Sequence, residues 1–119
     1  KVMQIDIQAR GFELTGGLQE YARRRLRFAL ARVDGRVRTI SVRLSDVNGP
    51  RKGVDKRCLL RVRLAQGPQV VIEDVQSDLY AAIGRSADRA SRTVARRLAR
   101  SRNWHAGRDL PASGMEEAG

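Results

Sequence analysis

Apolar and polar residues alternate in four short segments of the chain, which predicts four β-strands. In the first segment Met3, Ile5 and Ile7 are apolar and the residues between them are polar, so one face of this strand is exposed to water. Three further segments show the same alternation: residues 37–47, 57–64 and 69–75. Each predicted strand therefore has one apolar face that it can contribute to a common core.

Two longer segments carry apolar residues at helical spacing, which predicts two α-helices. The first begins after Thr15, a suitable N-cap, and ends at Asp34-Gly35. Its apolar face consists of Leu18, Ala22, Leu26, Ala29, Leu30 and Val33. The second begins after Ser77, the predicted cap, and has Asp78 in its first turn; it ends near Ser101. Its apolar stripe consists of Leu79, Ile83, Ala87, Ala90, Val94 and Leu98.

This order of elements predicts an α+β fold, a two-layer β-α-β-β-β-α sandwich. It has a four-stranded mixed sheet with both helices packed on one face, which leaves the other sheet face open to solvent. A helix connects the first two strands, so they are predicted to be parallel with a right-handed crossover; the last three form an antiparallel meander. The arrangement is similar to double-stranded-RNA-binding domains. Residues 1–102 are predicted to form the domain and residues 103–119 a flexible C-terminal tail.

Five arginines follow one another along the second helix at steps of four, three, four and four residues. They are Arg85, Arg89, Arg92, Arg96 and Arg100. At about 100° per residue they share one face, roughly opposite the apolar stripe. The row of fixed positive charges suits a polyanion. The alternative is an ordinary solvated helix face, although five arginines in a row repel one another.

The charge balance favours an anionic partner. The chain of 119 residues has 24 Lys and Arg against 13 Asp and Glu, a formal net charge of +11. Nucleic acid is the first candidate and an anionic membrane surface the second. The only lysines are Lys1, Lys52 and Lys56. Arginine binds phosphate in a bidentate manner and so favours nucleic acid, but high genomic GC content would produce the same bias.

Other basic residues could extend this surface. Arg25 lies near the edge of the first helix's apolar face, where the two helices can share a groove. Arg57, Arg61 and Arg63 point outward from the third strand. They form either a second contact surface or a row of charges that protects a sheet edge, and edge protection is the favoured interpretation.

The sequence offers little that suits catalysis or metal binding. No nucleophile and base, paired acids or phosphate-binding glycine loop can be assembled. Cys58 alternates with inward-facing residues and is predicted to be a core side chain; His105 lies in the predicted tail without companion ligands. We therefore expect no enzyme activity, no cofactor, no metal and no small-molecule substrate. A monomer when free is expected.

Several sequence features indicate the cytoplasm. No apolar run approaches the roughly 20 residues that a membrane span needs. No secretory signal is visible, and a single cysteine permits no internal disulfide. The chain is therefore expected to be cytoplasmic and not bound to a membrane.

Three sequence stretches carry a resemblance to a known family. They are Leu18-Gln19-Glu20-Tyr21 in the first helix, Asp78-Leu79-Tyr80-Ala81-Ala82-Ile83 in the second, and the loop from Ser45 to Arg51 with its continuation from Gly53 to Cys58. With the order of elements, they resemble the ribosome hibernation promoting factor family. The family includes the ribosome-associated inhibitor A proteins, and it was once labelled as sigma-54 modulation proteins. The similarity covers roughly residues 3–100.

The resemblance implies a function without chemistry. Family members bind the small ribosomal subunit in the channel used by mRNA and tRNA, and they keep idle ribosomes inactive during starvation or stationary phase. Long members carry a further C-terminal domain, for which the residues after the second helix are too few, so a short-type member is expected. The resemblance does not indicate whether ribosomes are dimerised, or which signal induces the protein.

The resemblance also indicates which residues contact RNA. Positions that are usually Lys or Arg in the family are occupied here by Arg25, Arg89, Arg92 and Arg96. Phe28 stands where Lys is common, and Gly84 replaces a usual Asp. We predict phosphate contacts from these arginines and from Arg85 and Arg100 of the same row, assisted by the loop that contains Arg51, Lys52, Lys56 and Arg57.

The aromatic content bears on how RNA would be read. Aromatic residues make up only 4% of the chain, and none shows the interleaved pattern that stacks single-stranded bases. RNA helices are recognised mainly by shape, through phosphates and 2′-hydroxyls. Base-specific readout is therefore not expected. Two other functions stay open: a general double-stranded-RNA-binding module, or a protein-interaction regulator such as a sigma-factor modulator.

Overall fold

A computed structural model describes residues 3–47 and 55–109 of the protein, with side chains described up to residue 100. Within this part the strands are β1 (Gln4–Arg10), β2 (Val37–Asp46), β3 (Lys56–Leu64) and β4 (Val70–Gln76). The α-helices are α1 (Gly16–Ala29) and α2 (Leu79–Asp109), and a 3₁₀-helix spans Ala31–Arg36. The predicted α+β fold class is confirmed.

The four strands form one sheet in the order β1-β2-β3-β4. β1 and β2 are parallel, with Ile5 opposite Ile40. β2, β3 and β4 are antiparallel neighbours, and Leu60 pairs with Val42 on one side and Ile72 on the other. The predicted mixed sheet with an antiparallel meander is therefore confirmed. The same order makes β3 an interior strand, with consequences for its outward-facing arginines.

Both helices pack on one face of the sheet and close a single core. Large side chains from the strands meet the apolar stripes of α1 and α2, and the small alanines of α2 let its backbone approach the sheet closely. Fully buried members include Ile40, Val42, Leu44, Leu60, Val62, Ala22, Leu26, Ile83, Ala87, Ala90 and Val94. The opposite face of the sheet carries no helix in the described part of the chain, as predicted.

Helix α1 begins where the sequence predicts and ends earlier. The Leu18 amide donates to Thr15 Oγ1 at 3.1 Å, so the Thr15 cap is confirmed. The predicted end at Asp34-Gly35 is wrong, because α1 ends at Ala29 and a 3₁₀-helix follows. Leu30 and Val33 still face the core. Over four or five residues a 3₁₀ turn buries the same positions as an α-turn, so the apolar spacing does not distinguish them.

Helix α2 differs from its prediction at both ends. Asp78 is the cap, since its Oδ2 accepts from the Ala81 amide at 3.0 Å, and the predicted Ser77 cap is wrong by one residue. The end predicted near Ser101 is also wrong, because α2 continues to Asp109. The prediction relied on apolar spacing, which stops near Ser101 and does not mark the last helical residue. Residues 103–109 are thus helical, residues 110–119 lie outside the described part, and the domain boundary at residue 102 stays a prediction.

Cys58 lies in the core as predicted, with no exposed surface. Burial raises the pKa of its thiol to about 11. We expect negligible alkylation of the folded protein by iodoacetamide at pH 8, where only about one thiol in a thousand would be ionised. Mass spectrometry measures the modified fraction, and the same protein in denaturant, which should react fully, is the control. Rapid modification of the folded protein would contradict the buried position.

Candidate nucleic-acid interface

The five arginines of α2 lie on the side of the helix that faces away from the core. We call this row the arginine stripe: Arg85, Arg89, Arg92, Arg96 and Arg100. Its members are exposed, except Arg89, which is half-buried. The buried residues Ala87, Ala90 and Val94 occupy the opposite side of the same turns and fix the helix to the sheet. The predicted amphipathic arrangement is therefore present, on a helix that is held firmly in place.

The two N-terminal arginines of the stripe turn toward the edge strand β4. Arg85 Nε lies 3.4 Å and Arg89 Nη1 lies 3.7 Å from the carboxylate of Asp74. Arg89 Nη1 also donates to the carbonyl of Glu73 at 2.7 Å. One carboxylate shared by two guanidinium groups leaves one positive charge. Arg85 and Arg89 therefore have partners within the protein, which their spacing along α2 does not reveal.

The remaining three arginines of the stripe differ from Arg85 and Arg89 in their partners. Arg92, Arg96 and Arg100 form no ion pair with any acidic residue in the described part of the chain. Arg96 has a single long contact, 3.5 Å from its Nη2 to Thr93 Oγ1. All three are exposed. We call them the open arginines, because their donors remain available to an anion.

Arg97 lies beside the stripe and was missed by the sequence reasoning. Its Nη1 donates to the carbonyl of Pro68 at 3.1 Å, which ties α2 to the turn between β3 and β4. In the sequence Arg97 is only the neighbour of Arg96 and lies outside the repeating spacing of the stripe. That position does not predict a hydrogen bond to the turn between β3 and β4.

Arg25 lies in the groove between α1 and α2, as predicted, and is bound there from two sides. Its Nη2 donates to the carbonyl of Gly84 at 3.0 Å and to Asp88 Oδ1 at 3.1 Å. Burial opposes the charge of Arg25, but hydrogen bonds with Asp88 and Tyr21 outweigh it and raise the pKa of the guanidinium group. Arg25 thus joins the two helices. Its predicted role in RNA contact stays a prediction.

The glycine at position 84 makes this arrangement possible. A Cβ at Gly84 would lie 3.3 Å from Tyr21 Oη and 3.4 Å from Arg25 Nη2, which is closer than ordinary contact. The Tyr21 ring in turn packs against Tyr80, with centroids 4.8 Å apart. Glycine in place of a side chain therefore leaves room for Arg25 between the helices, and Asp88 supplies the carboxylate one turn later.

The basic residues near the loop before β3 are less available than predicted. Lys56 Nζ lies 2.8 Å from Asp55 Oδ1 and 3.3 Å from Asp46 Oδ2, and the hydrogen bond that the amine donates to Asp55 raises its pKa. Arg57 forms an ion pair with Glu73 on β4. Arg51 and Lys52 lie outside the described residues. Lys56 and Arg57 are thus held by carboxylates within the described part of the protein.

A second group of arginines lies on the open face of the sheet. We call it the basic sheet face: Arg43 on β2, with Arg61 and Arg63 on β3. Edge protection is the wrong interpretation for Arg57, Arg61 and Arg63, because β3 is interior and its backbone groups are already paired on both sides. The sequence-based prediction did not include Arg43 among the site residues. Its outward direction was evident from the sequence, because it lies between the inward-facing Val42 and Leu44.

The described residues contain neither a cluster of metal ligands nor a helix that could span a membrane. No group of three His, Cys, Asp or Glu side chains in this part of the chain could hold a metal ion. Neither of the described α-helices combines the length and apolar character that a bilayer crossing needs.

Comparisons with known proteins identify one family and structures of similar fold. The model of the family described as Sigma 54 modulation protein / S30EA ribosomal protein matches residues 5–102. The crystal structure of the Thermus thermophilus Protein Y N-terminal domain is similar, with 29% identity and a TM-score of 0.65, covering 81% of this chain and 98% of that one. A ribosomal subunit interface protein from Coxiella burnetii has the same fold at 15% identity, with a TM-score of 0.67, 82% of this chain and 99% of that one. No curated protein gives a significant match.

Proposed function

The chain belongs to the Sigma 54 modulation protein / S30EA ribosomal protein family, and on that basis we propose that it is a ribosome-associated translation inhibitor. In this proposal it binds small-subunit rRNA at the mRNA–tRNA channel in stress or stationary phase. It acts by occupying the channel and performs no chemistry. The Coxiella relative is described as a ribosomal subunit interface protein, which supports the same partner here.

The open arginines are the observation that carries the proposal. Arg92 and Arg100 are eight residues apart, so the three side chains extend along about 12 Å of a well-packed helix. An RNA helix is recognised through its phosphates and 2′-hydroxyls, since side chains cannot enter its deep major groove. A row of guanidinium groups that no carboxylate of the described residues engages fits that mode of binding, because each can donate two hydrogen bonds to one phosphate.

The paired basic residues have a different place in the proposal. Arg85 and Arg89 share Asp74, and Arg25 shares Asp88. Surface ion pairs of this kind contribute about 0–1 kcal/mol each, so a phosphate can compete for the arginines. We propose that the open arginines make the principal contacts with RNA and that the paired residues contribute less to the binding free energy.

Binding to isolated small ribosomal subunits tests the proposal directly. If several phosphates are neutralised, the logarithm of the association constant should fall linearly with the logarithm of salt concentration, by about 0.7–0.9 per phosphate contact. Co-sedimentation at a series of KCl concentrations measures that slope. We compare subunits with a plain RNA duplex at equal concentrations of phosphate. We expect the protein to bind the subunits at least tenfold more tightly.

The same measurement separates the two alternatives. Equal affinity for subunits and for the duplex would favour a general double-stranded-RNA-binding module. Absence of subunit binding, together with salt-insensitive association with a protein from the same extract, would favour a protein-interaction regulator. Either result would contradict the proposed function.

A further inference from the structure

We propose that the basic sheet face is a second RNA-binding surface, which holds the phosphate backbone of an RNA segment different from the one on the arginine stripe. The inference rests on the proposed function and extends it. The two surfaces lie on opposite layers of the domain, since the helices cover one face of the sheet and Arg43, Arg61 and Arg63 project from the other.

The register brings these arginines together with hydroxyl groups. On the open face Ser41 is opposite Arg61, and Thr39 is opposite Arg63. Residues directly opposite one another on a sheet have Cβ atoms about 5 Å apart. Each of these two arginines is therefore next to a small hydrogen-bond donor on the neighbouring strand, which is a combination that suits phosphate oxygens.

A depression in this face has the right chemistry for an anion. It has a volume of about 450 Å³ and is lined by Thr39, Ser41, Arg61, Arg63, Leu64, Gly67 and Gln69. The lining contains guanidinium, hydroxyl and amide donors and no carboxylate. Phosphate accepts such charge-assisted hydrogen bonds strongly. The depression is thus suited to one phosphate group of an RNA backbone.

The charges of this face are not neutralised within the described part of the protein. Arg43, Arg61 and Arg63 form no ion pair there, and all three are exposed. Of the carboxylates on this side, Glu73 of β4 is engaged with Arg57, and Asp6 of β1 forms no ion pair with these three arginines. A second copy of the chain is a poor occupant, because two such faces repel each other. Charge complementarity therefore favours a polyanion, and RNA is the polyanion of the proposed function.

A charge-removing variant tests the inference. We expect Arg43→Gln/Arg61→Gln/Arg63→Gln to bind small subunits at least tenfold more weakly at 0.1 M KCl, with a salt slope about three units smaller. The matched control is Arg27→Gln/Arg32→Gln/Arg36→Gln, which removes the same charge from the exposed end of α1 and the 3₁₀-helix. The control should bind within about threefold of the unaltered protein. Thermal melting checks that both variants fold.

The outcomes separate the inference from the proposed function. Unchanged affinity and slope in the sheet variant, with tight salt-dependent binding by the unaltered protein, would overturn the inference and leave the function standing. Equal losses in the sheet variant and its control would also overturn it, because net charge alone would then be responsible. If the unaltered protein fails to bind subunits, the proposed function itself fails.

An anionic membrane is the other surface that could attract this face. Vesicles with and without anionic phospholipid provide that arm of the experiment. If the sheet variant loses binding to anionic vesicles but keeps full affinity for subunits, the face recognises lipid phosphate and the RNA inference is overturned. Loss of subunit binding without measurable vesicle binding by the unaltered protein supports RNA.

Discussion

Replacing the three open arginines with glutamine should lower the affinity for small ribosomal subunits about one hundredfold at 0.1 M KCl. Arg92, Arg96 and Arg100 are exposed and lack carboxylate partners in the described part of the chain. Each should therefore contact a phosphate without first breaking an internal ion pair. Loss of three such contacts should reduce the salt slope by about three units. Co-sedimentation at several salt concentrations measures both quantities.

A pair of double variants provides the sharpest control. Arg92→Gln/Arg96→Gln removes two open charges, and Arg85→Gln/Arg89→Gln removes the two that share Asp74. The first should lose more binding at unchanged thermal stability. The second should lose less binding but be destabilised by about 1 kcal/mol or more, because Asp74, only 12% exposed, loses both guanidinium partners and is left with the hydrogen bond from the Gln76 side-chain amide. Equal binding losses in the two variants would contradict the assignment of the open arginines.

Leu26→Ala should destabilise the protein by about 3 kcal/mol, the largest expected effect on the fold. Leu26 is completely buried where α1 packs on the sheet. Truncation removes its apolar surface from the core and leaves a cavity that rigid neighbours cannot fill, which costs about 2–5 kcal/mol. For a domain of this size the melting temperature should fall by more than about 10 °C. Chemical denaturation and thermal melting measure the change.

Phe28 on the same helix is the matched control for that prediction. It is the larger side chain, but 79% of it is exposed. Phe28→Ala should therefore change the free energy of unfolding by less than about 0.5 kcal/mol. A large loss in Phe28→Ala, or a negligible loss in Leu26→Ala, would show that the core is not where the burial pattern places it.

The strands were predictable because each has one dry face. In β3 the residues on one face are buried and those on the other are half-buried or exposed, and this alternation predicts both the strand and which of its faces is inward. The buried residues are Cys58, Leu60, Val62 and Leu64. The parallel pairing of β1 and β2 followed from the helix between them. The spacing of the apolar residues and the lengths of the connections therefore predict most of the fold.

The helix ends were less predictable because they depend on details of the backbone. Asp78 and Ser77 are both good cap residues, and their order in sequence does not decide which one turns back to the helix amides. The change to a 3₁₀-helix after Ala29 keeps the same residues buried. The apolar spacing stops near Ser101, while α2 continues to Asp109, so the spacing does not record the end of the helix.

The division within the arginine stripe could not be predicted at all. The spacing placed five arginines on one face, but it said nothing about Asp74, which lies on another element. The pairing of Arg85 and Arg89 with that carboxylate arises from the position of α2 over β4. The same holds for Arg25 and Asp88, which are separated by more than half of the chain. Contacts of this kind require the tertiary structure.

The use of arginine alone in the stripe and on the sheet face limits how the protein can be regulated. A guanidinium group is not a substrate for lysine acetylation, the modification that removes the charge of a lysine. Lysine acetyltransferases can therefore not neutralise these two surfaces. Salt or a competing polyanion would still release an anionic partner from them.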